Sequence, residues 1–543
     1  MKYKMSKRLL VNLMAVVMVV SLTSAAVVKY FDVSKNLEIF TTLYKELNLY
    51  YVDETNPGDL MKVGIDAMMK SLDPYTVYYP ESRIEDARIE NSGDFGGFGL
   101  TLKFSDDRVI IGEILQNYPA DKEGLKSGDE LITINSQSVY GLSEDELDGL
   151  LKGGVGSEAI LMYKRKGEQN SVTLERVEVK MKEVPYFGMV SDKDGYVKLT
   201  TFNQTSSRSL KAAIGDLMNK QGAERLILDL RGNGGGLLRE AVSIVNIFVP
   251  KGELVVSTKG KIESWNKVYE TTVEPIAPDI PLVVLVDEKS ASASEIVSGA
   301  LQDLDRAVVI GRQSFGKGLV QQTKDLVYNS KMKLTIAKYY IPSGRCIQRL
   351  DYSNKVDGKA NAVADSLIQP FQTRNGRPVY DGRGVDPDVE IVKTPKSALY
   401  KSLVENDIIF NYVNDYALGV QTPDTITEYA YNDYNSFKNY VMGQEFTYTT
   451  ESEAQLEQLL EIAKKEKYYG VSEAEFNQLM SKLTPNKAED LERYKSEISP
   501  VLESEIANRL YYKKGQIQSD LTKDPLIQSS IQTFDTNYST ILQ

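Results

Sequence analysis

The stretch RLILDLRGNGGG, residues 225–236, opens as a nearly unbroken apolar run and closes with four glycines in its last five positions. Leu226, Ile227, Leu228 and Leu230 leave no alternate polar face, so the run predicts a strand buried on both sides. The glycines predict a tight turn in which bare backbone N–H groups can face an anion, although the same spelling also suits a turn with no further task. The texture recurs in PLVVLVD, 281–287, and RAVVIG, 306–311, each beside a helical stretch. Residues 181–395 therefore predict an α/β core.

Immediately after the second strand stands DEKSASASEI, 287–296, with serines at 290, 292 and 294. Val297, Ala300, Leu301 and Leu304 mark one apolar helix face, which puts the serines at a helix N-terminus, where the dipole favours a developing oxyanion. Ser292 to Glu295 also spells a capping box, in which the serine would only satisfy a helix amide. The chain contains no histidine. A serine nucleophile here would have to give its proton to another base.

The lysine in GRQSFGKG, 311–318, supplies a candidate. This segment misses the phosphate-binding loop, because Gly318 stands where a hydroxyl must ligate magnesium and LVQQTKDLVY after it reads as a strand. It misses the S-x-x-K word of penicillin-binding enzymes, since glycines at 316 and 318 make a poor helix and the partner words S-D-N and K-T-G are absent. A lysine with an ordinary value of about 10.4 is a weak base at neutral pH, but burial disfavours the ammonium and lowers it. Gln321, four residues beyond Lys317, shares its face in a strand or a helix and can orient the amine, whereas Gln322 points away from a strand face. A lysine between glycines is equally the spelling of a solvated loop charge.

Outward from this core, Lys2, Lys4, Lys7 and Arg8 precede an apolar run from Leu9 to Val28. Its length of about 20 residues spans a bilayer, while Ser24-Ala25-Ala26 suits signal-peptidase cleavage, so residues 1–28 read as a signal peptide or a membrane anchor. Both place the remainder outside the cytoplasm, periplasmic or held on the outer face of the cytoplasmic membrane. Residues 29–90 carry a helical face, Leu37, Phe40, Tyr44 and Leu47, broken at Asp73-Pro74. Residues 91–180 alternate with strand period, Leu100, Leu102 and Phe104 against Thr101, Lys103 and Ser105, with short helices at PADKEGL and SEDELDGLL. From 396 to 543, spacing such as Leu456, Leu459, Leu460 and Ala463 predicts helices. The whole is multidomain, α/β in its core and α+β overall.

A formal charge of −12 offers no basic stripe for nucleic acid, and the single cysteine, Cys346, excludes an intrachain disulfide. Without histidine, imidazole metal sites are excluded, and neither a metal nor a cofactor is expected.

The words FGGFGLTL, PADKEGLKSGDELITINSQSV, LDLRGNGGG, SASASEI, FGKGLVQQ, YYIPSGRCIQ and GVDPDV occur in this order. Over roughly residues 37–395 the chain resembles the carboxyl-terminal processing peptidases, or tail-specific proteases. The resemblance implies a serine endopeptidase with Ser292 as nucleophile, Lys317 as base and Gln321 holding the lysine. It puts the oxyanion donors at the amides of Ala293 and Gly235, the latter chosen because the family often has proline where Gly234 stands. GFGL, Gly97, Phe98, Gly99 and Leu100, resembles the carboxylate-binding loop of a PDZ domain, which captures a peptide C-terminus and adds the tail as a strand. Implied partners are proteins or peptides with free C-termini; an adaptor and a homodimer both stay open. Asp303 and Arg306 read as supports of the site helix or a surface ion pair, Tyr339 and Tyr340 as core. Cys346, where many relatives carry serine, is expected to be buried and not nucleophilic. The competing reading is a PDZ scaffold or holdase with an inactive core.

Overall fold

The computed structural model describes residues 31–84, 94–105, 107–392, 394–426 and 429–543. The basic and apolar segment 1–28 lies outside them. No helix of the described residues is long and apolar enough to cross a membrane. The chain divides into two compact units, Met1–Glu81 with Thr323–Thr335, and Ser82–Gln322 with Ile336–Gln543.

In the first unit α1, over 31–50, is followed by α2 (Pro57–Leu72) and the short β1 (Val77–Tyr79). Asn56 starts α2 by accepting the amides of Gly58 and Asp59, with Pro57 in the first turn where a missing N–H costs nothing. The break at Asp73 is an Asx turn, its carboxylate accepting the amides of Tyr75 and Thr76 at 2.8 Å each.

The second unit opens with a small domain built from β2 (Asp94–Gly97), β3 (Leu100–Ser105), β4 (Arg108–Ile114), α3 (Pro119–Lys122), β5 (Glu130–Ile134), α4 (Glu144–Leu151), β6 (Glu158–Arg165), β7 (Glu168–Glu175) and β8 (Val177–Lys180). An antiparallel sheet runs β3-β4-β5-β6-β7, and β2 pairs separately with β8. Leu100 and Leu102 pack on its core as the alternation predicts, but Phe104, near the end of the strand, is 42% exposed. SVTLERVEV, 171–179, spans the end of β7 and most of β8. The chain breaks at Arg176, whose side chain turns inward to the carbonyls of Leu150 and Leu151.

The α/β core contains β9 (Tyr186–Met189), β10 (Asp194–Lys198), α5 (Ser206–Asn219), β11 (Arg225–Asp229), α6 (Leu238–Val245), β12 (Leu282–Val286), α7 (Ala293–Asp303), β13 (Val308–Gly311), β14 (Leu319–Asp325) and β15 (Val389–Glu390). Its sheet runs β9-β10-β11-β12-β13-β15, parallel except for the first pair. Leu226, Leu228, Leu282, Val284 and Val309 face the three helices. Ile227, Val283, Leu285, Val308 and Ile310 face the other way, onto Ile517 and Leu521 of α8 (Lys495–Leu521) and Leu526 and Ile527 of α9 (Pro525–Thr536). The C-terminal helices thus close the second face, which is why the strands read as unbroken apolar runs.

Asp303, at the end of α7, pairs with Arg345 and not with Arg306: Arg345 Nη2 lies 2.9 Å from Asp303 Oδ1, and both side chains are fully buried. Arg306 instead donates to the carbonyls of Phe248, Ala277 and Ile280 at 2.8–2.9 Å. Neither residue forms a surface ion pair. Burial pushes the Asp303 carboxyl up, against the pull of Arg345 and the Ser343 amide. Replacing one partner strands a charge, so Asp303→Ala is expected to destabilise the core by about 3–5 kcal/mol, read as a lowered thermal transition of the full chain.

Candidate active site

Ser292 stands between β12 and α7 with φ +55° and ψ −111°, a backbone region that a serine enters only when its surroundings hold it there. Its amide donates to Glu295 Oε2 at 2.7 Å. Its carbonyl accepts the amides of Glu295 and Ile296, each at 2.9 Å, and the hydroxyl of buried Tyr339 at 3.1 Å. The flanking serines are buried and engaged, Ser290 Oγ donating to Leu230 O at 2.9 Å and Ser294 Oγ to Asn233 O at 2.8 Å. They fasten the serine loop to the glycine turn, and Ser292 is the one of the three that reaches solvent.

Glu295, which the sequence offered only as a capping partner, is fully buried and accepts four hydrogen bonds. Oε1 takes the Ser314 hydroxyl at 2.5 Å and the Gly316 amide at 2.6 Å. Oε2 takes the amides of Ser292 at 2.7 Å and Lys317 at 2.9 Å. Burial pushes its carboxyl up while these donors pull it down, and the balance is a raised value. One oxygen therefore brings the backbone of Ser292 and that of Lys317 together.

The glycines beside Lys317 serve close approach. A Cβ on Gly316, where φ is +86°, would stand 2.5 Å from Arg349 Cβ, and one on Gly318 would stand 2.8 Å from Gln348 N. Gly318 N donates to Gln348 Oε1 at 2.7 Å. Lys317 is half-buried just before β14; Gln321 lies in that strand, also half-buried, and Gln322 is exposed. Cys346 is a half-buried free thiol, less buried than expected, and its surroundings push its value up, away from thiolate chemistry.

The glycine turn packs directly on the serine. A Cβ at Gly235, where φ is +100°, would meet Ala291 O at 2.6 Å and Ser292 Cβ at 2.8 Å. Its amide, expected to face an oxyanion, donates instead to Asn233 Oδ1 at 2.9 Å. It can serve an oxyanion only when Asn233 lets go. Asn233 is itself anchored, its Nδ2 on Leu199 O at 2.9 Å and its carbonyl accepting the Ala291 amide at 3.0 Å. Ala293 is buried in the first turn of α7. Behind the turn, buried Asp229 accepts Arg231, Lys198 and the Tyr196 hydroxyl. Burial alone would raise its carboxyl, but Arg231 and Lys198 hold it well below the usual range. Arg231 also pairs with Asp524 at 2.6 Å, a link from the C-terminal helices that no motif in the sequence signals.

Gly97 to Leu100 lie in the small domain, apart from the Ser292 cluster in the chain. The carbonyls of Phe98 and Gly99 accept the amides of Ala120 at 3.0 Å and Leu115 at 2.8 Å. Neither residue's amide donates to a group among the described residues. Gly99, with φ +74°, would place a Cβ 2.2 Å from Tyr118 Cβ. The strand that follows, β3, is the edge of its sheet. Among the described residues no cluster of His, Cys, Asp and Glu is arranged to hold a metal ion.

Residues 88–162 match the PDZ domain, 193–356 the peptidase family S41, and 399–534 the C-terminal helical domain of probable PDZ-proteases. A carboxy-terminal-processing protease of Bartonella bacilliformis is 34% identical over 319 residues, 58% of this chain and 73% of that protein. A probable CtpA-like serine protease of Staphylococcus aureus is 34% identical over 314 residues, 58% of this chain and 62% of that one. The solved photosystem II D1 C-terminal processing protease is 26% identical, covering 65% of this chain and 92% of that one, with a TM-score of 0.36. Identical to a relative at 34% of 319 aligned positions that cover 73% of that relative's length, the chain belongs to the carboxy-terminal-processing proteases, serine-type peptidases of family S41 that carry a PDZ domain ahead of the catalytic core.

Proposed function

We propose that this protease is exported, takes its substrates by their free C-terminal tails, and cuts them with Ser292 as nucleophile and Lys317 as base. The observation that carries the dyad is the shared Glu295 oxygen, which fixes two backbones that lie 25 residues apart in sequence against each other. Export rests on the basic and apolar character of residues 1–28.

In this reading Lys317 works as the free amine. It takes the proton from Ser292 Oγ as the oxygen attacks the scissile carbonyl, and the resulting ammonium protonates the departing amine. Gln321 orients the amine. The tetrahedral oxyanion forms at the positive end of α7, against the Ala293 amide and, after Asn233 releases it, the Gly235 amide. Water then enters, giving one proton to Lys317 and its hydroxyl to the acyl carbon; the bond from that carbon to Ser292 Oγ breaks, and Lys317 returns the proton to Oγ as the acid product leaves. The tail is held by the amides of Phe98 and Gly99, with the substrate extended along the free edge of β3. An adaptor or a second copy of the chain would act on delivery and is not needed for these steps.

Four outcomes are expected. Ser292→Ala abolishes turnover of a tailed protein, while Ser290→Ala and Ser294→Ala keep much more. Lys317→Arg keeps the charge but loses activity by about 10²–10⁴-fold, because guanidinium does not surrender its proton; near-normal cleavage by this variant would remove lysine from the mechanism. Amidating a substrate's C-terminus weakens cleavage by about 1.5–3 kcal/mol of lost charge-assisted contact, measured as kcat/KM on paired peptides. Fractionation of the native cell finds the chain outside the cytosol, and full-length protein in the cytosol would end the export reading.

A further inference from the structure

Tyr339 touches the backbone on both sides of the site. It lies in the strand Lys331–Tyr340, which pairs with β14 and, through Thr258, with the strand Leu254–Gly260. Its amide donates to the carbonyl of Gly318, the residue after Lys317, at 3.0 Å. Its hydroxyl donates to the carbonyl of Ser292 at 3.1 Å. The residue is 1% exposed, and burial beside the Glu295 carboxylate holds its phenol well above the usual tyrosine range, so the group stays protonated and can donate.

The carbonyl it holds belongs to the peptide unit whose N–H is that of Ala293. A trans peptide is planar, with its C=O and N–H pointing in opposite directions, so a group that fixes the carbonyl also aims the amide. Two of the three donors to the Ser292 carbonyl, the amides of Glu295 and Ile296, come from the first turn of α7 and are the bonds a helix start supplies for itself. Tyr339 reaches it from another element. With Ser292 at φ +55° and ψ −111°, this peptide keeps its orientation only while its surroundings hold it. Among the described residues the Ala293 amide donates to no group, whereas the Gly235 amide is engaged by Asn233. Ala293 is thus the donor that needs no release before an oxyanion forms. A hydrogen bond to the carbonyl also polarises the peptide and makes its N–H the stronger donor.

We propose that Tyr339 is a positioning residue of the reaction, whose hydroxyl aims and polarises the Ala293 amide toward the oxyanion by holding the opposite end of the same peptide. This rests on the reading of Ser292 as nucleophile and Ala293 as oxyanion donor given above. The oxyanion exists only in the tetrahedral species, so the contribution falls on turnover and leaves substrate binding alone.

The test compares the full chain with Tyr339→Phe and with Tyr340→Phe, which removes the same atom from the neighbouring ring on the opposite face of the strand. Phenylalanine fills the space of Tyr339 and leaves the Ser292 carbonyl its two helix amides, so no buried group loses its last partner. For each chain kcat and KM are measured on a tailed peptide, and Ki for a peptide aldehyde and for the matching peptide alcohol. Ser292 Oγ adds to the aldehyde carbon, the aldehyde oxygen takes the electron pair and the hydroxyl proton passes to Lys317; the alcohol forms no such adduct. Removing an oxyanion donor outright costs about 10²–10³-fold in kcat, and a donor present but misaimed costs part of that, so Tyr339→Phe is expected to lower kcat about tenfold with KM within about twofold. The same variant weakens the aldehyde by a similar factor and leaves the alcohol unchanged, while Tyr340→Phe behaves as the unaltered chain. The ratio of the two Ki values does not depend on how much of a variant is folded. An unchanged ratio and kcat in Tyr339→Phe, with Ser292→Ala inactive, overturns the inference and leaves the nucleophile standing. Equal weakening of aldehyde and alcohol, or an equal loss in Tyr340→Phe, reduces Tyr339 to a structural support and also overturns it. Turnover by Ser292→Ala near that of the unaltered chain defeats the nucleophile reading itself.

Discussion

A carboxylate sealed inside the core organises this site. Glu295 is held by hydrogen bonds: it accepts from three backbone amides and one hydroxyl drawn from two chain segments, the start of α7 and the 314–317 loop. An ionised carboxylate without such donors would cost several kcal/mol to bury. The donors are available only if the loop lies against the helix in one register, so the charge that makes burial costly also makes misregistration costly. Ser314 extends the constraint, accepting the Val385 amide at 2.7 Å while it donates to Glu295. The GVDPDV word is thereby joined to the lysine loop.

The same constraint explains how Ser292 can stay at φ +55°. Strain of about 1–3 kcal/mol at one residue persists when neighbours determine its position several times over. Here the Glu295 carboxylate holds its amide, Tyr339 and two helix amides hold its carbonyl, and Gly235 presses on its Cβ with no room for a methyl group. Asp287 adds a stitch, its Oδ1 accepting the amides of Gly232 and Lys289 and joining the glycine turn to the serine loop. All of this sits at the carboxyl ends of parallel strands, where an open α/β sheet leaves its loops free to build a site. The far side of the sheet is held by α8 and α9, and Asp524 reaches from there to Arg231 at the root of the glycine turn.

What was legible in the sequence follows from which forces are local. Unbroken apolar runs, glycine turns and the switch from period two to helical spacing report burial of each element by itself, so the α/β core, the small mixed domain ahead of it and the helical C-terminal region could all be read. The partners of polar side chains depend on elements far apart in sequence. Arg306 looked like the natural mate of Asp303, three residues away, yet Arg345 takes that place across 42 positions. Glu295 fitted the capping-box spelling, and it does bond the Ser292 amide as such a box requires; the bonds to Gly316 and Lys317 lie beyond any local pattern. Tyr339 reads as core and is core, but its hydroxyl reaches the Ser292 carbonyl. The glycines around Lys317 let neighbouring chain approach, as their spelling suggests, but that the chain they admit is Gln348 and Arg349 is no local matter.

The two glycine-bearing turns, 232–236 and 97–100, use one device for different ends. Each has a glycine at positive φ, which frees backbone amides to point away from the fold. At Phe98 and Gly99 the amides donate to no group among the described residues, which in the proposed reading suits a ligand that arrives already charged and stays. At Gly235 the amide is parked on Asn233 Oδ1. An oxyanion exists only during reaction, and a buried donor left empty between turnovers would carry a desolvation cost of about 1–3 kcal/mol throughout. In the proposed mechanism, parking lowers that cost in the resting state and moves it to the transition state, where a full negative charge makes a stronger acceptor than a neutral amide oxygen. A neutral carbonyl has no such advantage over Asn233, so the exchange would favour the tetrahedral species over the bound substrate, which is the discrimination that catalysis requires.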